Sequence, residues 1–122
     1  MEKTAKSVGV IEHLNAMRNL LVAPERWTKS LSARNASGDI ERPTSPSAAC
    51  WCIVGASIRA HNDLRNSHAV ADDALDRLDR ASPAPPGRGI VWFNDLDGTT
   101  HADILAVLDR AIELAKQEGT TP

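Results

Sequence analysis

The chain has no tyrosine and a single phenylalanine, so its aromatic side chains are Trp27, Trp51, Trp92 and Phe93. Four flat rings are too few for the stacking platform on which single-strand binders lay successive bases. Basic charge is not in excess either, because 14 Lys+Arg stand against 16 Asp+Glu for a net charge of −2. Affinity for phosphate backbones comes from clustered cations that release counterions, so nucleic acid is not expected as a partner. Long apolar runs are missing: the longest uncharged, mostly apolar stretch, Ala48 to Ile58, falls well short of the ~20 residues that span a bilayer. No membrane association is expected. Glu12 and His13 interrupt the segment where a secretory leader would need an unbroken apolar core, so the expected location is cytoplasmic. Cysteine is scarce too. Cys50 and Cys52 fall in a segment that reads as helix, where positions two apart point about 200° away from each other. They are not expected to bond, which fits a reducing compartment.

What is present suits one small globule. At 122 residues the chain supports a single domain over 1–122 that buries about two-thirds of its unfolded surface. Its 42% hydrophobic content includes 18 alanines, so the core is thin. A thin core favours completion of the apolar surface by a second copy or another protein.

Periodicity predicts four helices. Val10, Ile11, Leu14, Met17 and Leu21 mark one face of the first, which stops before Pro24. The second is expected to open at Ser45-Pro46 and run to about His61; it is apolar on every side between Ala48 and Ile58, as a helix at the centre of a domain would be. Within it, Gly55, Ala56 and Ser57 would let a neighbouring backbone come close. A third, from about Ser67 to Ala81, turns Ala71, Ala74, Leu75 and Leu78 inward. Its outer face carries Asp73 with Arg77 and Asp76 with Arg80 at the favourable i,i+4 spacing. The fourth starts at the capping pair Thr100 and Asp103, carries Ile104, Leu105, Leu108, Ala111, Ile112 and Ala115, and is expected to end at Gly119. Between the first two, Trp27 to Ser32 and Asp39 to Glu41 read as a short β-hairpin around a turn at Asn35 to Gly38. Loops are expected at about 33–45 and 82–89, the latter rich in Pro and Gly, with Ile90 to Phe93 a short buried extended segment.

Several constellations carry a chemical suggestion. Ile90 to Thr99 resembles the D-x-D-G-T nucleophile motif of haloacid-dehalogenase-type phosphatases, in which the first Asp attacks phosphorus. One helix follows it here, where those enzymes continue through further strands that bring a Lys and magnesium ligands. Read as a calcium loop, the same stretch places Thr100 and Ala106 where Gly and Glu are needed. The plain alternative is a polar turn that caps the last helix. Cys50 near the expected helix start, followed by Trp51 in the Cys-Trp order of papain-type enzymes, is formally a thiol nucleophile with His61, His68 or His101 as base and Asn94 or Asp95 to orient it, though free cysteines usually act as small buried hydrophobes. His13, His61, His68 and His101 show no i,i+4 pairing, so no metal site and no cofactor are expected.

Trp27, the turn from Ala33-Arg34 to Gly38, Ser45-Pro46, Trp51-Cys52-x-x-Gly55-Ala56, Phe93-Asn94-Asp95 and the Thr100-capped last helix together resemble a family of short uncharacterised proteins of bacteria and their phages. The similarity runs from about Ile11 to Lys116. Phe93 stands where tryptophan is commoner in that family, and Cys50 is additional to its single cysteine. The resemblance implies no activity. It does imply that Trp51 and Cys52 meet Asn94 and Asp95, either as structural polar groups or as a pocket with His101 at its rim.

The sequence thus predicts a mainly α domain of about four helices packed around a central apolar helix. The expected function is that of an accessory protein, of phage or prophage descent, that binds another protein or itself as a homodimer. Asp72, Asp73, Asp76 and Asp79 form a candidate surface for a basic partner. The competing expectation is a ligand-binding protein or enzyme built on Trp51, Cys52, Asn94, Asp95 and His101.

Overall fold

The computed structural model describes residues 2–85 and 87–120. Among these are five α-helices and one two-stranded sheet: α1 (Glu2–Leu20), β1 (Ala33–Asn35), β2 (Ala48–Trp51), α2 (Ile53–Leu64), α3 (His68–Ala81), α4 (Ile90–Asp95) and α5 (His101–Thr120). A 3-10 turn at Pro24–Arg26 follows α1.

The mainly helical architecture matches the periodicity. Val10, Leu14 and Met17 of α1, with Leu21 just beyond it, are buried together with Ala74 and Leu78 of α3 and Ile104, Val107, Leu108 and Ala111 of α5. These three helices pack against one another, and α1 also packs against α2. Removing the leucine and isoleucine side chains from water contributes roughly 1.5–3 kcal/mol each. On α5, Asp103 accepts the Thr100 backbone N–H at 2.9 Å while its own backbone N–H reaches the Thr100 hydroxyl at 3.2 Å, the expected reciprocal cap. That helix continues through Gly119 to Thr120 rather than ending there.

Three local expectations are corrected. The apolar stretch that reads as one helix from Ser45 splits in two: Ser45 to Ala48 is a turn closed by the Ala48 N–H on the Ser45 carbonyl, Ala48–Trp51 is a strand, and the helix starts at Ile53. The strand forms because β1 offers it a partner, Ala33 opposite Trp51 and Arg34 opposite Cys50. The Thr28 N–H further binds the Trp51 carbonyl. Cys50 therefore lies on β2 and Cys52 caps α2, so the two do not share a helix; both are free thiols.

The hairpin is shifted as well. Trp27 to Ser32 is not its first strand; Ala33–Asn35 is, with β2 as its main partner. Asp39 to Glu41 does return, as a bridge between Ile40 and Arg34, around Gly38 at φ 88°. Finally, Ile90 to Phe93 is not extended but opens α4. The Asp79 carboxylate accepts the Ile90 N–H at 2.8 Å and supplies from α3 the cap that the local sequence lacks. A Cβ on Gly89 would sit 2.6 Å from that carboxylate oxygen, so glycine is what permits the approach.

At α2, the close approach implied by its small residues is real. A Cβ on Gly55 would overlap the Ser32 carbonyl oxygen, and the Cys52 N–H binds that same oxygen at 3.2 Å.

Candidate functional site

Asn94, the penultimate residue of α4, is buried and uses its whole amide. Its Oδ1 accepts the Trp27 indole N–H at 2.8 Å and the Ile53 backbone N–H at 3.1 Å, while Nδ2 donates to the Thr28 carbonyl at 3.3 Å and to Asp95 Oδ1 at 2.9 Å. Two donors and two acceptor positions are thereby filled. The Ile53 N–H is one of the orphan donors of the first turn of α2, so Asn94 caps that helix from another element. Asp95 Oδ1 also accepts the Ser30 N–H at 2.9 Å, where Ser30 holds φ 73°. Three segments meet at one amide: the 27–30 loop, the start of α2 and α4 itself.

Cys52 completes the helix start, its Sγ accepting the Gly55 N–H at 3.3 Å. Burial pushes this thiol above its usual range, and the neighbouring Asp95 charge adds to the shift, against the pull of the backbone N–H groups. A helix start normally favours thiolate, yet here desolvation prevails. The structure holds a neutral thiol in place rather than an activated one.

Cys52, Asn94 and Asp95 therefore do meet, and with Ser30, Val54 and Val91 they line a hollow of about 240 Å³. Trp51 and His101 do not join it. The Trp51 indole N–H donates to the Pro43 carbonyl at 2.9 Å with the Arg59 guanidinium 5.5 Å over its ring. His101 Nε2 donates to the Leu21 carbonyl at 2.6 Å, and its ring tilts against Trp27 at 6.3 Å. Trp27, not Trp51, is the tryptophan bonded to Asn94.

A second polar array escaped the sequence reading. His13, fully buried on α1, pairs its Nε2 with Ser57 Oγ at 2.8 Å. Its Nδ1 lies 2.8 Å from Asn66 Nδ2, and Asn66 Oδ1 lies 2.7 Å from His61 Nδ1. With the Asn66 amide so placed, the amide donates to His13, and the His13 hydrogen sits on Nε2 and points to Ser57. His61 in turn packs against His68 with ring centroids 4.6 Å apart. Burial, and secondarily the charge on His61, lower His13 to about 4. A base that weak, already holding its hydrogen toward the serine, does not activate Ser57 near neutral pH. The signal for this array was present: His13 falls between Val10, Leu14 and Met17 on the buried face of α1, and Ser57 inside the apolar stretch of α2.

The Cys52 hollow is one of three that adjoin. Through Val54 it meets a hollow of about 260 Å³ lined by Ile58, His61, His68, Asp72 and Leu75. Through Val91 and Asp95 it meets another, of about 450 Å³, lined by Trp92, Leu96 and Asp97. Along this face Ile58 is 43% exposed, Val91 53% and Leu96 40%. Asp72, Asp95 and Asp97 are among the residues that line the three hollows, and no Lys or Arg is.

Of the four α3 carboxylates singled out in the sequence, Asp72 lines this face. The other three are engaged in the fold. Asp73 lies 4.0 Å from Arg77, Asp76 pairs with Arg80 at 3.2 Å, and Asp79 caps α4. Glu118 of α5 reaches both Arg77 and Arg80, at 2.9 and 2.8 Å, so the charged face of α3 ties that helix to α5. Among the described residues no group of three or more His, Cys, Asp or Glu side chains is placed to hold a metal ion, and no helix is long and apolar enough to cross a membrane.

No curated protein and no solved structure matches the chain. Residues 5–114 match the model of DUF6197, a family of unknown function, and the chain belongs to that family.

Proposed function

We propose that this chain is a protein-binding module and that its partner docks on the face formed by α2, α4 and the edge of α3. The observation that carries this reading is the continuity of the face. Three hollows share Val54, Val91 and Asp95 as boundaries, and Ile58, Val91 and Leu96 stand exposed along them. Contiguous exposed apolar surface on a small protein marks a contact site more often than it serves the fold. Carbon surface between rigid helices also suits docking, because little conformational entropy is lost when it is covered.

The competing reading, an enzyme or ligand-binding protein built on Trp51, Cys52, Asn94, Asp95 and His101, has less support. Asn94 has no free hydrogen-bonding capacity, the Cys52 thiol is held neutral, and no histidine lines the Cys52 hollow.

A photo-crosslinking residue placed at Val91 tests the proposal in host cells, with one at Val22, which is 52% exposed away from these hollows, as the control. A discrete protein adduct from position 91 and none from position 22 is expected. Equal adducts from both positions, or none from 91, would overturn the reading.

A further inference from the structure

We infer that the segment received by this face is apolar and flanked by Lys or Arg, and that it comes from a different protein rather than from a second copy of this chain. The inference rests on the docking reading above and adds the chemistry of the occupant. It starts from the charge around the hollows. Asp72 stands at one end, Asp97 at the other and Asp95 between them, with exposed Ile58, Val91 and Leu96 alongside.

None of the three carboxylates is in an ion pair among the described residues. The nearby cations bind groups other than these carboxylates. Lys29 Nζ donates to the backbone carbonyls of Leu96 and Asp97, at 2.6 and 3.3 Å, and the Arg88 guanidinium lies 5.6 Å over the Trp92 ring. Arg59, on α2, turns to Asp63 and to the carbonyls of Pro43 and Ser45.

A partner covering the apolar strip must therefore approach three carboxylates that no ion pair among the described residues engages, of which Asp95 alone accepts hydrogen bonds from the fold, from Ser30 N–H and the Asn94 amide. A segment with cations at its ends gains attraction there, and an acidic one is repelled. Two copies of this chain meeting through the same face would bring two such sets of carboxylates together, and like charges set against each other at an interface disfavour it. That argument separates the two occupants left open by the thin core.

Random 12-residue peptides displayed on phage and selected against the wild-type chain provide the test. Each enriched peptide is then measured on V91D and on the double variant D72N/D97N, whose residues cap nothing in the fold. Enriched peptides are expected to combine spaced apolar residues with net positive charge. They should lose at least about tenfold in affinity on V91D and about fivefold on D72N/D97N, and weaken as salt rises. Peptides lost on V91D but neutral or acidic, and indifferent to D72N/D97N, would overturn the inference while leaving the docking face standing. Failure of any peptide to depend on Val91 would overturn the docking reading itself. A dimer in light scattering that dissociates in V91D would identify the occupant as a second copy and also overturn the inference.

Discussion

The Asn94 side-chain oxygen accepts the Trp27 indole N–H at 2.8 Å across 67 positions of sequence, and the same oxygen caps the first turn of α2. One buried amide thus decides where α2 begins and where the loop after α1 is anchored. Replacing Asn94 with Ala leaves the Trp27 and Ile53 donors without partners, at an expected cost of about 2–4 kcal/mol. Urea denaturation of the variant measures it. A midpoint within error of the wild type would show that the amide is not structural.

Gly55 faces the Ser32 carbonyl where a methyl group has no room. Gly55→Ala must push β1 and α2 apart and break the bond from the Cys52 N–H to Ser32. A loss of at least about 3 kcal/mol is expected by the same measurement, against about 1 kcal/mol for Gly38→Ala, where the methyl meets open space and the strain is that of a positive φ.

His13 gives the stability a pH dependence of definite sign. Its folded value of about 4 lies below the ordinary histidine value of 6.5, so between these limits the unfolded chain binds the proton more readily. Stability contributed by the neutral ring is fully present above about pH 6.5, declines as pH falls, and is lost by about pH 4. The full difference is on the order of 3 kcal/mol. Denaturation at a series of pH values should show this slope in the wild type and its reduction in His13→Gln. Equal slopes in both proteins would refute the assignment.

Cys52 should be a slow thiol. In a Cys50→Ser background the remaining thiol is expected to react with an aromatic disulfide reagent more slowly in the folded protein than in urea, because burial holds it protonated. Faster reaction in the folded state would reveal an activated nucleophile and revive the enzyme reading.

The long helices were legible in the sequence because their apolar spacing is local and agrees with their packing. α1, α3 and α5 each carry that signal, and the Thr100 and Asp103 cap forms from residues three apart. What the sequence concealed depends on distant partners. α4 is capped by Asp79 from another helix, Ala48–Trp51 becomes a strand because β1 is beside it, and α2 starts at Ile53 because Asn94 binds there. The candidate site divides in the same way. Cys52, Asn94 and Asp95 line one hollow, whereas Trp51 and His101 find other partners in Pro43 and Leu21. The charged face of α3 was visible, but its engagement with Glu118 and with the start of α4 was not, since those contacts span 38 and 11 positions. The open α2 and α4 face could not be read at all, because exposure of Ile58, Val91 and Leu96 becomes apparent after the core has chosen its members.

The docking face is tested most directly by Val91→Asp, assayed for thermal unfolding and for affinity toward a face-selected peptide. Val91 is exposed, so the melting temperature should stay within about 2 °C of the wild type while affinity falls at least about tenfold. Unchanged affinity with an unchanged melting temperature would contradict the assignment of this face as the place where the protein meets its partner.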